Sequence, residues 1–315
     1  MSKDYSDLAF RRDDLKGTIA EPTYAGALSF MRRRYSRDTA AADVAVVGVP
    51  FDLGTTNRPG ARLGPRAIRA ASSTMGWDRT WGWAFDPFDE LAVVDYGDCL
   101  FDHGAPTAIP AQLADEIGRI LAKDCATLVL GGDHFVSYPS LQAHAKKHGP
   151  LSLIHFDAHS DTWRRESDRL DHGSMFWYAA NEGLVVPERS AQIGIRTHND
   201  ETHGFNIFSA DDVEERGTDA IVRAVHDIVG PHPCYVTFDI DCLDPAFAPG
   251  TGTPVVGGLS SATARRLLRG LAGIDVRGMD VVEVAPAYDH AEITALAGAA
   301  IAMDLLALFA VSQRR

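Results

Sequence analysis

Short apolar runs separated by longer amphipathic stretches recur along almost the whole chain, and this alternation narrows the possible folds more than any other feature. The apolar runs are Val44–Val49, Leu91–Asp95, Thr127–Leu130, Leu151–Phe156, Ser190–Ile195, Tyr235–Phe238 and Met279–Val284. Helical stretches lie between them: Pro65–Ser73, Ile109–Lys123, Tyr138–Lys147, Ser174–Glu182, Thr218–Val229 and Ser260–Gly270. A closing helix from Ala291 to about Ser312, made mostly of Ala, Leu, Ile and Met, is expected to pack on the sheet. Parallel strands need long crossover connections, which helices provide, so the pattern predicts an α/β fold with a parallel sheet. With 315 residues, one large domain or two smaller ones are possible. No repeat, low-complexity tract or Pro/Gly-rich linker divides the chain. One domain over residues 41–315 is therefore expected, preceded by an N-terminal arm, residues 1–40.

Three polar clusters follow apolar runs, where a parallel sheet exposes its ligand-binding edge. They are Gly131-Gly132-Asp133-His134, Asp157-Ala158-His159-Ser160-Asp161 and Asp239-Ile240-Asp241. In a strand alternate side chains point the same way, so Asp157, His159 and Asp161 are expected to share one face, as are Asp239 and Asp241. Carboxylates gathered without a nearby Lys or Arg repel one another and raise their own pKa values, a difficulty that divalent cations remove. Many carboxylates, two imidazoles and no thiolate suit Mn²⁺ better than a structural Zn²⁺. Each cluster also has a plainer reading. Two glycines after a strand mark a turn, His134 could be a satisfied core histidine, and charged loops are often solvated. The coincidence of all three, with the Thr251-Gly252-Thr253-Pro254 turn downstream, speaks against solvation alone.

Composition excludes some partners. A net charge of −13 leaves no basic surface for nucleic acid. It accords with a cationic small substrate, though solubility explains such a charge equally well. No apolar run is read as reaching the length of a membrane span, so no membrane partner is expected. The four cysteines (Cys99, Cys125, Cys234, Cys242) form no C-x-x-C pair and read as reduced thiols of a cytoplasmic protein. Residues 1–15 are dense in charge and lack the apolar centre of a signal peptide.

An ordered set of motifs runs from Gly48-Val49-Pro50-Phe51-Asp52 through Gly60 to Pro65, the three clusters, Asp171-His172-Gly173, Gly194-Ile195-Arg196 and Phe238 to Pro254. It ends at Val281-Val282-Glu283-Val284 and Glu292-Ile293-Thr294. In these segments the chain resembles the ureohydrolases, the family of arginase, agmatinase, guanidinobutyrase and proclavaminate amidinohydrolase. The resemblance implies a single-domain arginase-like fold with a central eight-stranded parallel sheet flanked by helices on both faces. It also implies a dinuclear Mn²⁺ site, two ions per subunit, and a homotrimer or homohexamer. By the same likeness, His134, Asp157, Asp161 and Asp239 hold one manganese and Asp157, His159, Asp239 and Asp241 the other, with Asp157 and Asp239 bridging. The resemblance further implies that the metal pair would supply a hydroxide nucleophile for the guanidinium carbon and that Asp161 would orient it. Glu283 accepts paired N–H donors from the guanidinium, His172 shuttles a proton to the departing amine, and Thr253 lines the guanidinium pocket.

Substrate choice rests on the loops. The stretch Thr162 to Asp171 lacks the arginase Ser-Gly-Asn pattern, and no Gly-Glu-Lys segment of the guanidinobutyrase-like branch precedes the histidine. Asp171 to Phe176, Phe238 to Gly257 and Glu283 to Asp289 resemble the bacterial agmatinase branch, which implies agmatine as substrate, with putrescine and urea as products. Against this stand Arg164, Arg165 and Arg169, which would favour a guanidino acid if they pointed inward; mixed with Glu166 and Asp168, they could equally face solvent. Two other readings are a single-metal zinc deacetylase, whose ligand pattern differs, and a non-catalytic metal-binding homologue, which would have lost a ligand or His172. Several residues read as support or packing: His155 as a neighbour of the ligands, Cys242 as packing, and Trp77, Trp81 and Trp83 as core by default, with a pocket rim or an oligomer contact as the alternative. Asp95 and Asp98 have no assigned part in the site.

Overall fold

The computed structural model describes residues 24–75, 79–164 and 171–314. Eight parallel strands form the sheet: β1 (Val44–Val49), β2 (Val93–Asp98), β3 (Ala126–Gly131), β4 (Ser152–Phe156), β5 (Ala191–Ile195), β6 (Asn206–Ser209), β7 (Cys234–Asp239) and β8 (Val276–Val282). Their spatial order is β2-β1-β3-β8-β7-β4-β5-β6. The inner strands β1, β4 and β7 are buried on both faces, so they read as mostly apolar runs with no alternation, broken only by polar residues such as His155 and Thr237.

Nine helices are described. On one face, α3 (Ile109–Leu121), α4 (Ser137–His148) and α5 (Met175–Asn181) bury Leu113, Ile117, Leu141 and Phe176. On the other lie α1 (Gly64–Ser72), α6 (Ala210–Arg216), α7 (Thr218–Val229), α8 (Ser261–Gly270) and α9 (Ile293–Ser312), with Ile68, Val225, Leu268 and Leu305 in the core. The short α2 (Pro87–Glu90) adds Phe88 to the same core. Starts follow local chemistry: Ser209 and Asp212 form a reciprocal capping box on α6, and Ser260 caps α8.

No membrane-length apolar run is expected from the sequence, but the last helix is one. Helix α9 spans 20 residues at a mean hydropathy of 2.0, long and apolar enough to cross a membrane by length and composition. Its apolarity has another cause, since most of it is buried: α9 packs against α1, α8 and β8, and its one charged residue, Asp304, is paired with Arg265. Of the expected arm, residues 24–40 are described. Phe30 and Met31 insert into the core beneath α1, and the Phe30 N–H donates to Asp95 Oδ2.

Sheet order decides where chemistry can gather. The neighbours β3, β8, β7 and β4 occupy the centre, and their carboxyl ends carry His134, Glu283, Asp239 and Asp157 respectively. Four distant stretches of chain thus deliver side chains to one spot.

Candidate metal centre and active site

Strand alternation does not bring the second cluster together. Strand β4 stops at Phe156, and Asp157 to Asp161 form a loop in which Asp161 takes a left-handed φ of 51°. Asp239 closes β7, while Asp241 sits in the single helical turn Ile240–Cys242. Glu283 lies one residue past β8 with φ 64°. Non-glycine residues in this region cost energy and cluster where a site holds them. Gly132 is required here, because a Cβ on it would lie 1.7 Å from the Phe51 carbonyl oxygen. The Gly132 carbonyl in turn accepts the Glu283 N–H.

The candidate ligands converge in two overlapping groups. His134 Nδ1 lies 2.9 Å from Asp157 Oδ2, 3.0 Å from Asp161 Oδ2 and 3.1 Å from Asp239 Oδ2. His159 Nδ1 lies 3.2 Å from Asp157 Oδ1 and 3.1 Å from Asp241 Oδ2. Asp157 therefore sends one oxygen to each group. The second oxygen of Asp239 accepts the Asp241 N–H at 2.8 Å.

Whether these residues suit a cation can be tested on His134. Its Nε2 is 2.8 Å from Thr237 Oγ1, and that hydroxyl donates to Asp280 Oδ1 at 2.5 Å. A hydroxyl has one proton, so Thr237 accepts from Nε2–H, and the neutral ring presents a lone pair at Nδ1. That lone pair faces three carboxylates and has no hydrogen-bond partner. Lone pair against carboxylates is repulsive unless a positive charge sits between them. A proton on Nδ1 relieves this in part: burial opposes it, but Asp157, Asp161 and Asp239 raise the His134 pKa well above its usual value. A divalent cation satisfies all four groups at once.

The other charges tell the same story. Burial, then Asp241 and Asp157, push Asp239 well above the carboxylate range, and Asp161 and Asp241 are raised as well. Asp157 runs the other way despite its burial, because His155, His134 and His159 surround it. His155 orients rather than ligates: Gln192 Nε2 donates to its Nδ1 at 3.0 Å, leaving Nε2–H to donate to Asp157 Oδ2 at 2.7 Å.

Beside this cluster a cavity of about 200 Å³ is lined by Thr56, His159, Asp161, Trp163, His172, Gly173, Asp239 and Thr253. Thr253 Oγ1 donates to Asp241 Oδ2 at 3.2 Å. Glu283 Oε1 accepts from the His134 N–H and from His172 Nδ1, each at 2.8 Å, while its buried Oε2 has no partner. An acceptor left free inside the protein is suited to an incoming N–H donor. All nine expected site residues thus meet in one place.

Other features lie apart or were not anticipated. Arg164 rests with its guanidinium carbon 5.8 Å from the Trp177 ring centroid, and it does not line the cavity; Arg165, Glu166, Asp168, Arg169 and Trp77 lie outside the described residues. Trp81 is exposed rather than core, and Trp83 donates from its half-buried ring to Asp304. Asp95 and Asp98 bind Arg69, and Cys242 is buried with Sγ 3.5 Å from the Ile193 carbonyl. Thr56, Trp163, Thr237 and Asp280 were missed. Thr237 and Asp280 did leave a signal, each being a polar residue inside an apolar strand, costly unless paired.

The arginase family model matches residues 42–308. An agmatinase of Chromobacterium violaceum is 54% identical over 96% of this chain and 95% of its own length, and one of Proteus mirabilis is 49% identical over 92% and 95%. Among solved structures, a hypothetical agmatinase from Burkholderia thailandensis superposes with a TM-score of 0.96 at 55% identity, covering 99% of both chains. Proclavaminate amidino hydrolase from Streptomyces clavuligerus gives 0.89 at 38%, covering 93% of this chain and 100% of its own. With these matches over nearly its full length, the chain belongs to the arginase family, metal-dependent hydrolases acting on guanidino carbon–nitrogen bonds.

Proposed function

We propose that this protein is an agmatinase, hydrolysing agmatine to putrescine and urea at a pair of Mn²⁺ ions. The observation that carries the reading is the partnerless Glu283 Oε2, buried behind the lining residue His172 that bonds Oε1 of the same carboxylate, at a cavity rimmed by Asp161 and Asp239. A guanidinium is a flat cation with paired N–H donors, and a fixed carboxylate oxygen orients it by hydrogen bond and charge together. No Lys or Arg is found among the described lining residues, which suits a substrate cationic at both ends.

His134, Asp157, Asp161 and Asp239 would hold one ion, and Asp157, His159, Asp239 and Asp241 the other. Bound there, the metal pair supplies a hydroxide nucleophile at neutral pH. Asp161 steers the nucleophile, and Glu283 fixes the plane of the guanidinium. Thr253 lines that end of the pocket and holds Asp241. His172, tethered through Nδ1 to Glu283, carries the proton that the departing amine requires. Residues 41–315 act as one catalytic domain behind an arm of residues 1–40, in a cytoplasmic homotrimer or homohexamer.

The test is to supply Mn²⁺-loaded protein separately with agmatine, 4-guanidinobutyrate and arginine and to measure urea. Agmatine should give the highest kcat/KM. Preference for the acid would replace the substrate and keep the chemistry, and no urea from any guanidine would end the reading.

A further inference from the structure

We infer that Thr56 is a positioning residue for proton transfer at His172, its hydroxyl forming the connection through which the buried ring exchanges a proton with solvent. This rests on the hydrolase reading above. Thr56 sits in the exposed loop after β1, whereas His172 is only 7% exposed. Two Thr56 atoms converge on one ring nitrogen: its N–H lies 3.0 Å from His172 Nε2, and its Oγ1 2.7 Å. The loop is fixed for this purpose. The Gly54 N–H donates to Asp133 Oδ2 at 2.6 Å, and the Gly54 carbonyl accepts the His172 N–H at 3.2 Å.

A backbone N–H can only donate, so it calls for a lone pair on Nε2. The neutral ring then carries its proton on Nδ1, aimed at Glu283 Oε1. A ring that delivers protons must also pass through the doubly protonated form. Burial opposes that form, but Glu283 at hydrogen-bond distance, then Asp161 and Asp133 at longer range, raise His172 to about 9. Its second proton lies on Nε2, where the Thr56 N–H offers nothing to accept it. The Thr56 hydroxyl does accept it, because a hydroxyl donates to a bare nitrogen and accepts from a protonated one by rotating. As Nε2–H passes to Oγ1, the proton of Oγ1 passes to water; the ring becomes neutral and the hydroxyl is unchanged. The reverse sequence reloads the ring.

Thr56→Val keeps the backbone N–H and the side-chain shape but removes the hydroxyl, and Thr56→Ser restores it. The Val variant should lose roughly ten- to a hundredfold in kcat on agmatine with KM nearly unchanged, and the Ser variant should recover kcat to within a few-fold. An unchanged kcat in the Val variant would overturn the inference. So would a rise in KM alone, which would make Thr56 a substrate contact. A second readout needs no turnover. In Mg²⁺-loaded protein, the ¹⁵N signals of His172 should show Nε2 losing its proton at lower pH in the Val variant than in the wild type or the Ser variant. Coincident titrations would sink the relay even in a protein that hydrolyses no guanidine.

Discussion

Asp239 and Cys242 sit three residues apart at the end of β7, and both are buried, yet their surroundings give them opposite weight. Asp239 Oδ2 is one of the three oxygens around His134 Nδ1, and its Oδ1 holds the Asp241 N–H. An amide in its place lowers the negative charge and turns an NH₂ group toward one of these partners. Asp239→Asn should therefore reduce urea release below detection and lower the bound manganese measured by elemental analysis. Wild-type turnover in that variant would remove Asp239 from the centre. Cys242 points away, with Sγ against the Ile193 carbonyl, and burial pushes its pKa well up. An unreactive buried thiol is packing, so Cys242→Ser should leave kcat on agmatine almost unchanged.

Paired elements rather than single residues hold the ligands in place. Thr237 on β7 and Asp280 on β8 are register partners, and Asp280 also accepts from Ser137 and Tyr235. This fully bonded carboxylate fixes the Thr237 proton, and Thr237 fixes the tautomer of His134. Thr237→Val should weaken Mn²⁺ binding by roughly ten- to a hundredfold, read by competition with a chelator, while the sheet remains folded. Unchanged affinity would separate the relay from the metal centre. Helix α4 presses another buried group on the sheet: His144 takes Ser140 as its acceptor, and burial holds its pKa down to about 4. A histidine with a depressed folded pKa costs nothing above about 6.5, where it is neutral folded or unfolded. It destabilises progressively as pH falls from there to about 4, by about 3 kcal/mol in all. Urea denaturation of His144→Gln should show a shallower loss of stability over that range than the wild type; an identical slope would refute the assignment. The same elements mark what the chain reveals unaided. Strands such as β1 and β7 announce themselves because both faces are buried. Strand β6 did not, being four residues long, at the sheet edge and only partly buried. Motif residues such as Asp157 and His172 were legible from their order. Thr56 was not, because its role arises only where a surface loop folds back onto His172.

Across the whole molecule, the converging carboxylates tie folding to metal and to pH together. In the metal-free protein Asp161, Asp239 and Asp241 have raised pKa values. The unfolded chain releases these protons first as pH rises, so the three acids weaken folding from the ordinary carboxylate range up to their folded values. His134 and His159 have raised values too, the latter about 12. Their stabilisation is complete below about 6.5 and fades only as pH climbs toward those folded values. Asp157, held low, contributes above the ordinary Asp range and loses that contribution only in acid. A divalent cation takes over the work of the protons: it neutralises the acids and displaces the proton from each ligating histidine. Mn²⁺ should therefore raise the melting temperature relative to chelator-treated protein, by the equivalent of about 2.7 kcal/mol at a hundredfold excess over Kd for one site. The gap should widen between pH 5.5 and 8, because proton competition at the ligands falls over that range. Calorimetric titration in two buffers of different ionisation enthalpy should show net proton release on binding. A melting gap that stays constant or narrows as pH rises, with no proton released, would mean that these side chains do not share one cation-binding centre.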